Sequence, residues 1–425
     1  MSHMPARFVR LFSIAAVVGV VILPAASAWP DGHESARWAA TWATGPAGPA
    51  PGDPTEFNDQ TLRYIVHTSI GGDQVRVKIS NTFGATALAI GRVHVAVSVE
   101  GAAIDRRTDR TVTFSGVDHV KVPAGALVLS DPVNLRVAAL SDLAISIHLP
   151  ERTSPATMHS LALQTSYVAA GTGDHTGDVD LPGAAVTTSW HFLTGVDVRT
   201  RGGATIVALG DSITDGANST TDANLRWPDV LAARLQERHD LRQLGVIDEG
   251  IIGNRLLHPT GPDFANLFGP AALARFDRDV LAQAGVTHVI VLLGINDIGH
   301  PGSAAPQSDE VSAEEIAAAL TQIADRAHEK GIVVIGATLL PFEGTTIAGF
   351  YSPEKEVKRQ AVNHWIRTAS RFDAVIDFDA IMRDPTHPTR LRPDLDGGDH
   401  LHPSDAGQEV MGRAISLSLF GGSHH

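Results

Sequence analysis

Ser212 stands at a position suited to a nucleophile. It follows residues 205–209, an apolar and β-favouring run without polar alternation, which predicts a strand buried on both faces. Gly210 ends that strand, and open α/β sheets bind ligands just beyond the carboxyl ends of their strands. A serine hydroxyl there can attack a carbonyl carbon once a base removes its proton. Taken alone, Ser212 is equally compatible with a turn serine that makes a local hydrogen bond.

Two further loops offer hydrogen-bond donors. Gly253 follows the second predicted strand, and its N–H can approach a ligand closely because glycine has no side chain. Asn296 follows the third and offers a side-chain amide. Parallel strands end on the same side of a sheet, so we expect both donors and the N–H of Ser212 to surround one oxygen, as an oxyanion hole requires. Each residue also has a structural explanation, Gly253 in a turn and Asn296 as a helix cap or in an Asx-turn.

A base for Ser212 is predicted at His402. Asp399 precedes it by three residues, a spacing at which the chain folds back in one turn and the carboxylate accepts a ring N–H. That hydrogen bond fixes the tautomer and stabilises the imidazolium formed when Ser212 loses its proton. His400 is the competing base, and Asp396 is an alternative to Asp399 as the orienting carboxylate.

The second half of the sequence alternates predicted strands and helices. This alternation predicts a parallel sheet with helices on both faces and right-handed crossovers. Ser312 and Glu315 match a capping box, and Gly331 marks the end of that helix. The predicted strands are 205–209, 245–249, 287–293, 332–337 and 374–376, and the predicted helices are 228–238, 270–284, 312–330, 353–370 and 406–418.

The preceding region consists of short predicted strands between turn residues. Residues 61–67 and 74–80 alternate apolar with polar, and residues 70–73 between them predict a hairpin. Many short strands with few helical runs indicate an antiparallel β-sandwich of jelly-roll-like type. Further strands are predicted at 92–99, 111–114, 126–129, 133–137 and 143–149. We therefore predict a β-sandwich domain over residues 29–200 and an α/β domain over residues 201–425.

The α/β half resembles the SGNH hydrolases, also called GDSL esterases. The resemblance covers about residues 203–420 and lies in four ordered blocks: Gly210–Ile213, Gly253, Gly294–Asp297 and Asp399–Pro403. It implies a nucleophile at Ser212, oxyanion donors at Gly253 and Asn296, and a base at His402 oriented by Asp399. It also implies a flavodoxin-like, three-layer α/β/α fold with a five-stranded parallel sheet.

One position departs from the family pattern. Ile213 stands where the family name expects leucine, a mild change in an apolar position. The first half of the chain, including Ser69–Asn81, is similar to the β-rich region that precedes the hydrolase in secreted arylesterase-like and xylan-associated members.

The first 28 residues have the layout of a secretory signal peptide. Arg7 and Arg10 precede an apolar run over residues 11–23, and Ala26–Ala28 forms a small-x-small cleavage site. This run of 13 residues is too short to cross a bilayer, which takes about 20. We expect secretion after cleavage near Ala28 and no membrane span in the mature chain, with a retained anchor as the alternative.

Composition restricts the partners and cofactors. The 425 residues include 33 Lys and Arg against 47 Asp and Glu, a formal charge of −14, and no basic block that would indicate nucleic-acid binding. The absence of cysteine from the sequence excludes disulfides, thiolate metal sites and a cysteine nucleophile. Neither an H-E-x-x-H pattern nor a dinucleotide-binding glycine pattern occurs, so we predict no metal and no cofactor.

These features predict a secreted carboxylic-ester hydrolase that forms an acyl-enzyme on serine. No long apolar lid segment separates the blocks, which favours short acyl groups such as acetyl, on carbohydrate or on simple alcohol or aryl esters. Three alternatives remain: a lipase or arylesterase acting on longer acyl chains, an acyltransferase with the same residues, and a carbohydrate-binding protein whose α/β half is inactive.

Overall fold

A computed structural model describes Met1, residues 35–261, Phe264 and residues 266–421. The predicted signal peptide lies outside the described residues except for Met1. The described residues from Ser35 onward form one compact unit. In this part of the chain, no helix combines the length and the apolar character needed to cross a membrane.

Residues 36–201 form an antiparallel β-rich region. Its strands are β1 (Ala36–Ala43), β2 (Gln60–Thr68), β3 (Gly72–Ser80), β4 (Leu88–Ile90), β5 (Val93–Val97), β6 (Arg110–Val112), β7 (Val120–Val122), β8 (Leu127–Leu129), β9 (Val133–Val137), β10 (Ser141–Leu149), β11 (Met158–His159), β12 (Ser166–Val168), β13 (Ala185–Thr187), β14 (Trp190–His191) and β15 (Leu193–Arg201). One main sheet has the order β1-β15-β3-β8, with β9 also paired to β3, and the other has the order β13-β12-β2-β10-β5-β6.

The two main sheets enclose a common core. Val75 and Val77 of β3 are fully buried, and they belong to the same apolar cluster as Leu143 and Ile145 of β10 in the other sheet. Alternate residues of β3 are only partly buried. The predicted antiparallel β-rich region is therefore confirmed.

The predicted hairpin at residues 70–73 is wrong. β2 and β3 lie in different sheets, so this connection carries the chain from one sheet to the other. Ile70 is buried, and its N–H donates to the Thr41 hydroxyl at 3.0 Å instead of bonding across a hairpin. Alternation shows that each strand has one buried face, but it does not determine which strand lies beside it.

Five parallel strands form the sheet of the α/β half. They are β16 (Ala204–Gly210), β17 (Leu244–Gly250), β18 (Val286–Leu292), β19 (Val333–Ala337) and β20 (Ala374–Ile376). Their order in the sheet is β17-β16-β18-β19-β20. In chain order this is 2-1-3-4-5, the order of flavodoxin-like folds. The predicted five-stranded parallel sheet is confirmed.

Helices cover both faces of this sheet. They are α1 (Ser212–Asp215), α2 (Trp227–Gln236), α3 (Ala272–Phe276), α4 (Ile295–Gly299), α5 (Ala313–His328), α6 (Pro353–Thr368), α7 (Phe378–Met382) and α8 (Asp405–Ala414), with a π-helical turn at Asp277–Leu281 and 3₁₀ turns at Gln307–Asp309 and Leu417–Phe420. The connection through α2 crosses the sheet in the opposite direction to those through α5 and α6, so right-handed crossovers place α2 on the other face.

Local signals explain where these helices begin. The Ser312 hydroxyl accepts the N–H of Glu315 at 3.1 Å, and the Glu315 carboxylate accepts the N–H of Ser312 at 2.7 Å, which is the predicted capping box. The predicted helix 270–284 is divided into α3 and the π-helical turn, and α8 ends at Ala414 rather than at residue 418.

β1 joins the β-rich region to the parallel sheet. The N–H of Ala40 donates to the carbonyl of Ala284 at 3.0 Å and to the hydroxyl of Thr205 in β16 at 2.9 Å. Ser69, just after β2, accepts the N–H of Val246 in β17 at 3.0 Å. These bonds fix the position of the β-rich region against β16 and β17.

Candidate active site

Ser212 begins α1 directly beyond the carboxyl end of β16. Asp211 caps this helix, since its carboxylate accepts the N–H of Ile213 at 3.0 Å. Ser212 is 5% exposed, so its hydroxyl is sheltered from most of the solvent. Burial raises the pKa of Asp211 to about 7, while the Ile213 N–H and the charge of His402 oppose that rise.

Ser212, His402 and Asp399 form a continuous chain of hydrogen bonds. Ser212 Oγ lies 2.8 Å from His402 Nε2, and His402 Nδ1 lies 2.6 Å from Asp399 Oδ2. A carboxylate can only accept, so Nδ1 carries the ring hydrogen and Nε2 is left to accept the serine proton. The arrangement can therefore remove a proton from the Ser212 hydroxyl.

Asp399 is held as an anion by several donors. Its Oδ1 accepts the N–H groups of Leu401 at 3.0 Å and His402 at 2.8 Å, and its Oδ2 also accepts from Asn218 Nδ2 at 3.1 Å. Burial alone would raise the pKa of Asp399, but the hydrogen bonds and the charge of His402 hold it below its usual value. Asp399 therefore remains ionised beside the imidazole.

The alternative base and carboxylate, His400 and Asp396, bind each other rather than Ser212. Asp396 accepts from the ring Nδ1 of His400 and from its N–H. His400 adopts a left-handed backbone conformation with φ 59°, and its side chain is half exposed. The geometry therefore joins His402, rather than His400, to Ser212.

Three donors remain available at the ends of β16, β17 and β18. Within the described residues, neither the N–H of Ser212 nor that of Gly253 donates to a protein acceptor. Asn296 Nδ2 donates one hydrogen to the carbonyl of Asn254 at 3.0 Å, which leaves its second hydrogen free. Gly253 has φ 68°, and an added Cβ would lie 2.4 Å from the ring of Phe268, so this position requires glycine.

Arg275 ties two of these strand ends together. From α3 its buried guanidinium donates to the carbonyls of Gly210 at 2.9 Å and Glu249 at 2.8 Å, and to Asn254 Oδ1 at 3.0 Å. Asp297 adds a second tie, because its carboxylate accepts the N–H of Leu256 at 2.7 Å. The loops that carry the donors are thus held by charged groups buried beneath them.

Sequence analysis did not predict the contacts that four side chains make around the site: Arg275, Asn218, Asp215 and Asp297. Arg275 has a local signal, since it stands three residues after Ala272 and four before Asp279, on a buried helix face. Asn218 reaches Asp399 across 181 residues, and Asp215 reaches Ile252 across 37 residues, so neither has a local pattern. Asp297 belongs to a recognised block, but its bond to Leu256 depends on how two loops pack.

Sequence comparison identifies the family of the α/β half. Residues 208–410 match the model described as the GDSL-like lipase/acylhydrolase family. No curated protein matches the chain.

Solved structures similar to this chain cover about half of it. They include a GDSL-like lipase from Bacteroides thetaiotaomicron (18% identity, 51% of this chain and 87% of that chain, TM-score 0.37). A carbohydrate acetylesterase from Sinorhizobium meliloti also matches (18% identity, 50% and 96%, TM-score 0.37). So does a catalytic mutant of an acetylxylan esterase from Geobacillus stearothermophilus (22% identity, 52% and 95%, TM-score 0.37).

Proposed function

Because residues 208–410 form a domain of the GDSL-like lipase/acylhydrolase family, we propose that this protein hydrolyses carboxylic esters through an acyl-enzyme on Ser212. The observation that carries the proposal is the 2.8 Å hydrogen bond from Ser212 Oγ to His402 Nε2. Asp399 completes a catalytic triad from the other side of the imidazole at 2.6 Å.

The first half-reaction forms the acyl-enzyme. His402 Nε2 takes the hydroxyl proton while Ser212 Oγ bonds to the ester carbonyl carbon, and the carbonyl oxygen becomes an oxyanion. The N–H groups of Ser212 and Gly253 and the amide of Asn296 donate to that oxyanion. The imidazolium, stabilised by Asp399, then gives its proton to the leaving alcohol as the ester bond breaks.

The second half-reaction releases the acid. His402 takes a proton from water, whose oxygen attacks the acyl carbon, and the same donors stabilise the second oxyanion. The bond to Ser212 Oγ breaks as His402 returns the proton to it. The cycle needs no cofactor, because every proton moves between Ser212, His402, water and the substrate.

We further propose short acyl groups, acetyl above all, carried on carbohydrate or on simple alcohol or aryl esters. Support comes from the blocks of the sequence, between which no long apolar lid segment stands.

We also propose that the protein is secreted after cleavage near Ala28 and that it has two domains, residues 29–200 and residues 201–425. Amino-terminal sequencing of the exported protein tests the cleavage.

An arylesterase is favoured as the second candidate by an aromatic stack beside Gly253. The Phe268 ring lies against Gly253, and it stacks on Phe264 with centroids 5.0 Å apart and on His300 at 5.6 Å. Burial lowers the pKa of His300 to about 3, so its ring is neutral at ordinary pH. Such a stack suits a flat apolar group on the substrate.

Turnover of an ester series tests both candidates. We expect p-nitrophenyl acetate and acetylated xylan to be hydrolysed, with kcat/KM falling from acetate to butyrate to octanoate. Ser212→Ala should lose several orders of magnitude in kcat while its melting temperature changes little. Activity of this variant within tenfold of the native protein would refute the mechanism. A kcat/KM that rises with acyl chain length would select the second candidate, and products formed with added alcohol would reveal acyl transfer.

A further inference from the structure

A histidine of the β-rich region reaches the loops that surround Ser212. His159 lies in β11, and its ring is buried. Its Nδ1 lies 3.0 Å from the carbonyl oxygen of Gly45, and its Nε2 lies 2.9 Å from Oδ1 of Asp215 at the end of α1. The side chain therefore bridges the β-rich region and the helix that begins with Ser212.

The two partners of His159 determine its charge. A carbonyl and a carboxylate are both acceptors, so each ring nitrogen must carry a hydrogen for both contacts to be hydrogen bonds. The ring is then an imidazolium paired with a buried carboxylate. Burial alone would lower the pKa of His159, but Asp215 and the Gly45 carbonyl raise it above its usual value, against an opposing effect of Arg226.

Asp215 also binds the loop after β17. Its Oδ2 accepts the N–H of Ile252 at 2.9 Å, so its two oxygens serve two different parts of the molecule. Ile252 directly precedes Gly253, whose N–H is a proposed oxyanion donor. The turn is short, since the N–H of Asn254 returns to the carbonyl of Ile251 at 3.1 Å. A change in the position of Ile252 must therefore change the direction of the Gly253 N–H.

We propose that His159 is a positioning residue for ester hydrolysis: by fixing the Asp215 carboxylate, it holds the 251–254 turn so that the Gly253 N–H faces the oxyanion. This inference rests on the proposed function. It assigns the β-rich region a part in catalysis, because His159 belongs to that region. His159 contacts neither Ser212 nor His402, so it acts by positioning other groups. Unpaired, Asp215 would be a buried charge that draws in water or rotates, and the Ile252 N–H would lose a fixed acceptor.

Kinetics of five variants test the link. We expect His159→Ala and Asp215→Ala each to lower kcat about 10- to 100-fold, with KM within about threefold, since complete loss of an oxyanion donor costs 10²–10³. The double variant should lose little more than either single one, because both changes break the same link. Asp215→Asn should stay within about fivefold, since its amide can accept from Ile252 and donate to a neutral His159. His159→Gln, which keeps one donor toward Asp215, should fall between these values.

Hydrogen exchange of the full chain separates positioning from general destabilisation. Amides of residues 250–254 should exchange faster in His159→Ala and Asp215→Ala but not in Asp215→Asn. The control is His94→Ala, which removes a partly buried histidine whose side-chain partners, Asp109 and Thr111, both belong to the β-rich region. It should change the melting temperature without changing kcat or exchange at residues 250–254.

Three outcomes would overturn the inference. They are a kcat of His159→Ala within threefold of the native value, unchanged exchange at residues 250–254 in that variant, or additive losses in the double variant. Should His159→Ala fail to fold, the contrast between Asp215→Ala and His159→Gln decides the same question. A native protein that hydrolyses no ester would refute the proposed function instead, and exchange at residues 250–254 would still show whether His159 orders the turn.

Discussion

Asp399 and Asp396 are similar carboxylates with different partners. Asp399 accepts from His402, whose other ring nitrogen faces Ser212, whereas Asp396 accepts from the half-exposed His400. The lowered pKa of Asp399 keeps it ionised at neutral pH. Because the folded-state pKa is lowered, its stabilising effect is present above the unfolded-state pKa and is lost as the pH falls through the folded-state value.

Asp399→Asn should lower kcat by about 10²- to 10⁴-fold, because the amide can no longer both fix the tautomer and stabilise the imidazolium. His402→Ala should lower it further, since the base itself is removed. Asp396→Asn is the matched control and should keep kcat within about threefold. Steady-state kinetics on p-nitrophenyl acetate measure all three, and a larger loss in Asp396→Asn than in Asp399→Asn would reverse the assignment.

Asp248 makes stability depend on pH. One oxygen accepts the N–H of Gly250 at 2.8 Å, and the other is buried without a partner among the described residues. Burial raises the pKa of Asp248 to about 7. Between pH 4 and pH 7 the folded chain therefore holds a proton that the unfolded chain releases, so the free energy of unfolding falls as the pH rises and levels off above 7.

Asp248→Asn should remove the contribution of this group to the pH dependence, while that of Asp211 remains. Its melting temperature should approach that of the native protein below pH 4, where the aspartate becomes protonated in both states, and exceed it increasingly up to pH 7. Thermal unfolding from pH 4 to pH 8 measures the difference. A constant difference between variant and native protein over this range would mean that the group does not titrate there.

At the scale of elements, α8 holds α1 and α2 in place through Gln408. This buried side chain accepts the N–H of Trp227 at 2.9 Å and donates to the carbonyl of Ile213 at 3.0 Å. Ile213 follows Ser212, and α8 begins three residues after His402. A single amide therefore connects the helix that carries the proposed nucleophile with the segment that carries the proposed base.

Gln408→Leu should leave the N–H of Trp227 and the carbonyl of Ile213 without their hydrogen-bond partner. It should lower the free energy of unfolding by about 2 kcal/mol or more, since an unsatisfied buried group costs about 1–3 kcal/mol. It should also lower kcat, because Ser212 and His402 lose part of their common support. Glu409→Gln, on the exposed neighbouring residue, serves as the control and should change stability by less than about 0.5 kcal/mol. Equal stability of the two variants in urea would show that Gln408 contributes nothing.

At the scale of the whole molecule, the β-rich region packs closely against the parallel sheet through β1. β1 lies so close to β17 that a Cβ added at Gly245 would stand 2.5 Å from the carbonyl oxygen of Ala40. The N–H of Ala40 in β1 crosses the same boundary, since it donates to the carbonyl of Ala284 and to the hydroxyl of Thr205. The β-rich region therefore supports the sheet whose opposite end carries the site.

Gly245→Ala should push β1 away from β17 and lower the melting temperature by several degrees, because overpacking typically costs 1–3 kcal/mol. Calorimetry of the full chain should show one transition that shifts as a whole. Gly421→Ala is the control, since an added Cβ there meets no atom within 4 Å. Two separate transitions, of which only one shifts, would show that the two parts unfold independently.

The sequence by itself determined the parallel sheet and the residue types at its loops. Unbroken apolar runs such as residues 205–209 and helix caps such as Ser312 act locally, so their effect can be predicted without knowing the rest of the chain. The family blocks likewise predicted Ser212, Gly253, Asn296, Asp399 and His402 as site residues, and these roles stay predictions until the variants are measured.

Only the tertiary structure decided which groups meet. It separated β2 from β3, paired Asp396 with His400, and brought Arg275 beneath two strand ends. It also joined His159 to Asp215 across 56 residues, and Asn218 to Asp399 across 181. Contacts of this kind depend on the order of strands and the packing of loops over the whole chain, and no local spacing of residues encodes them.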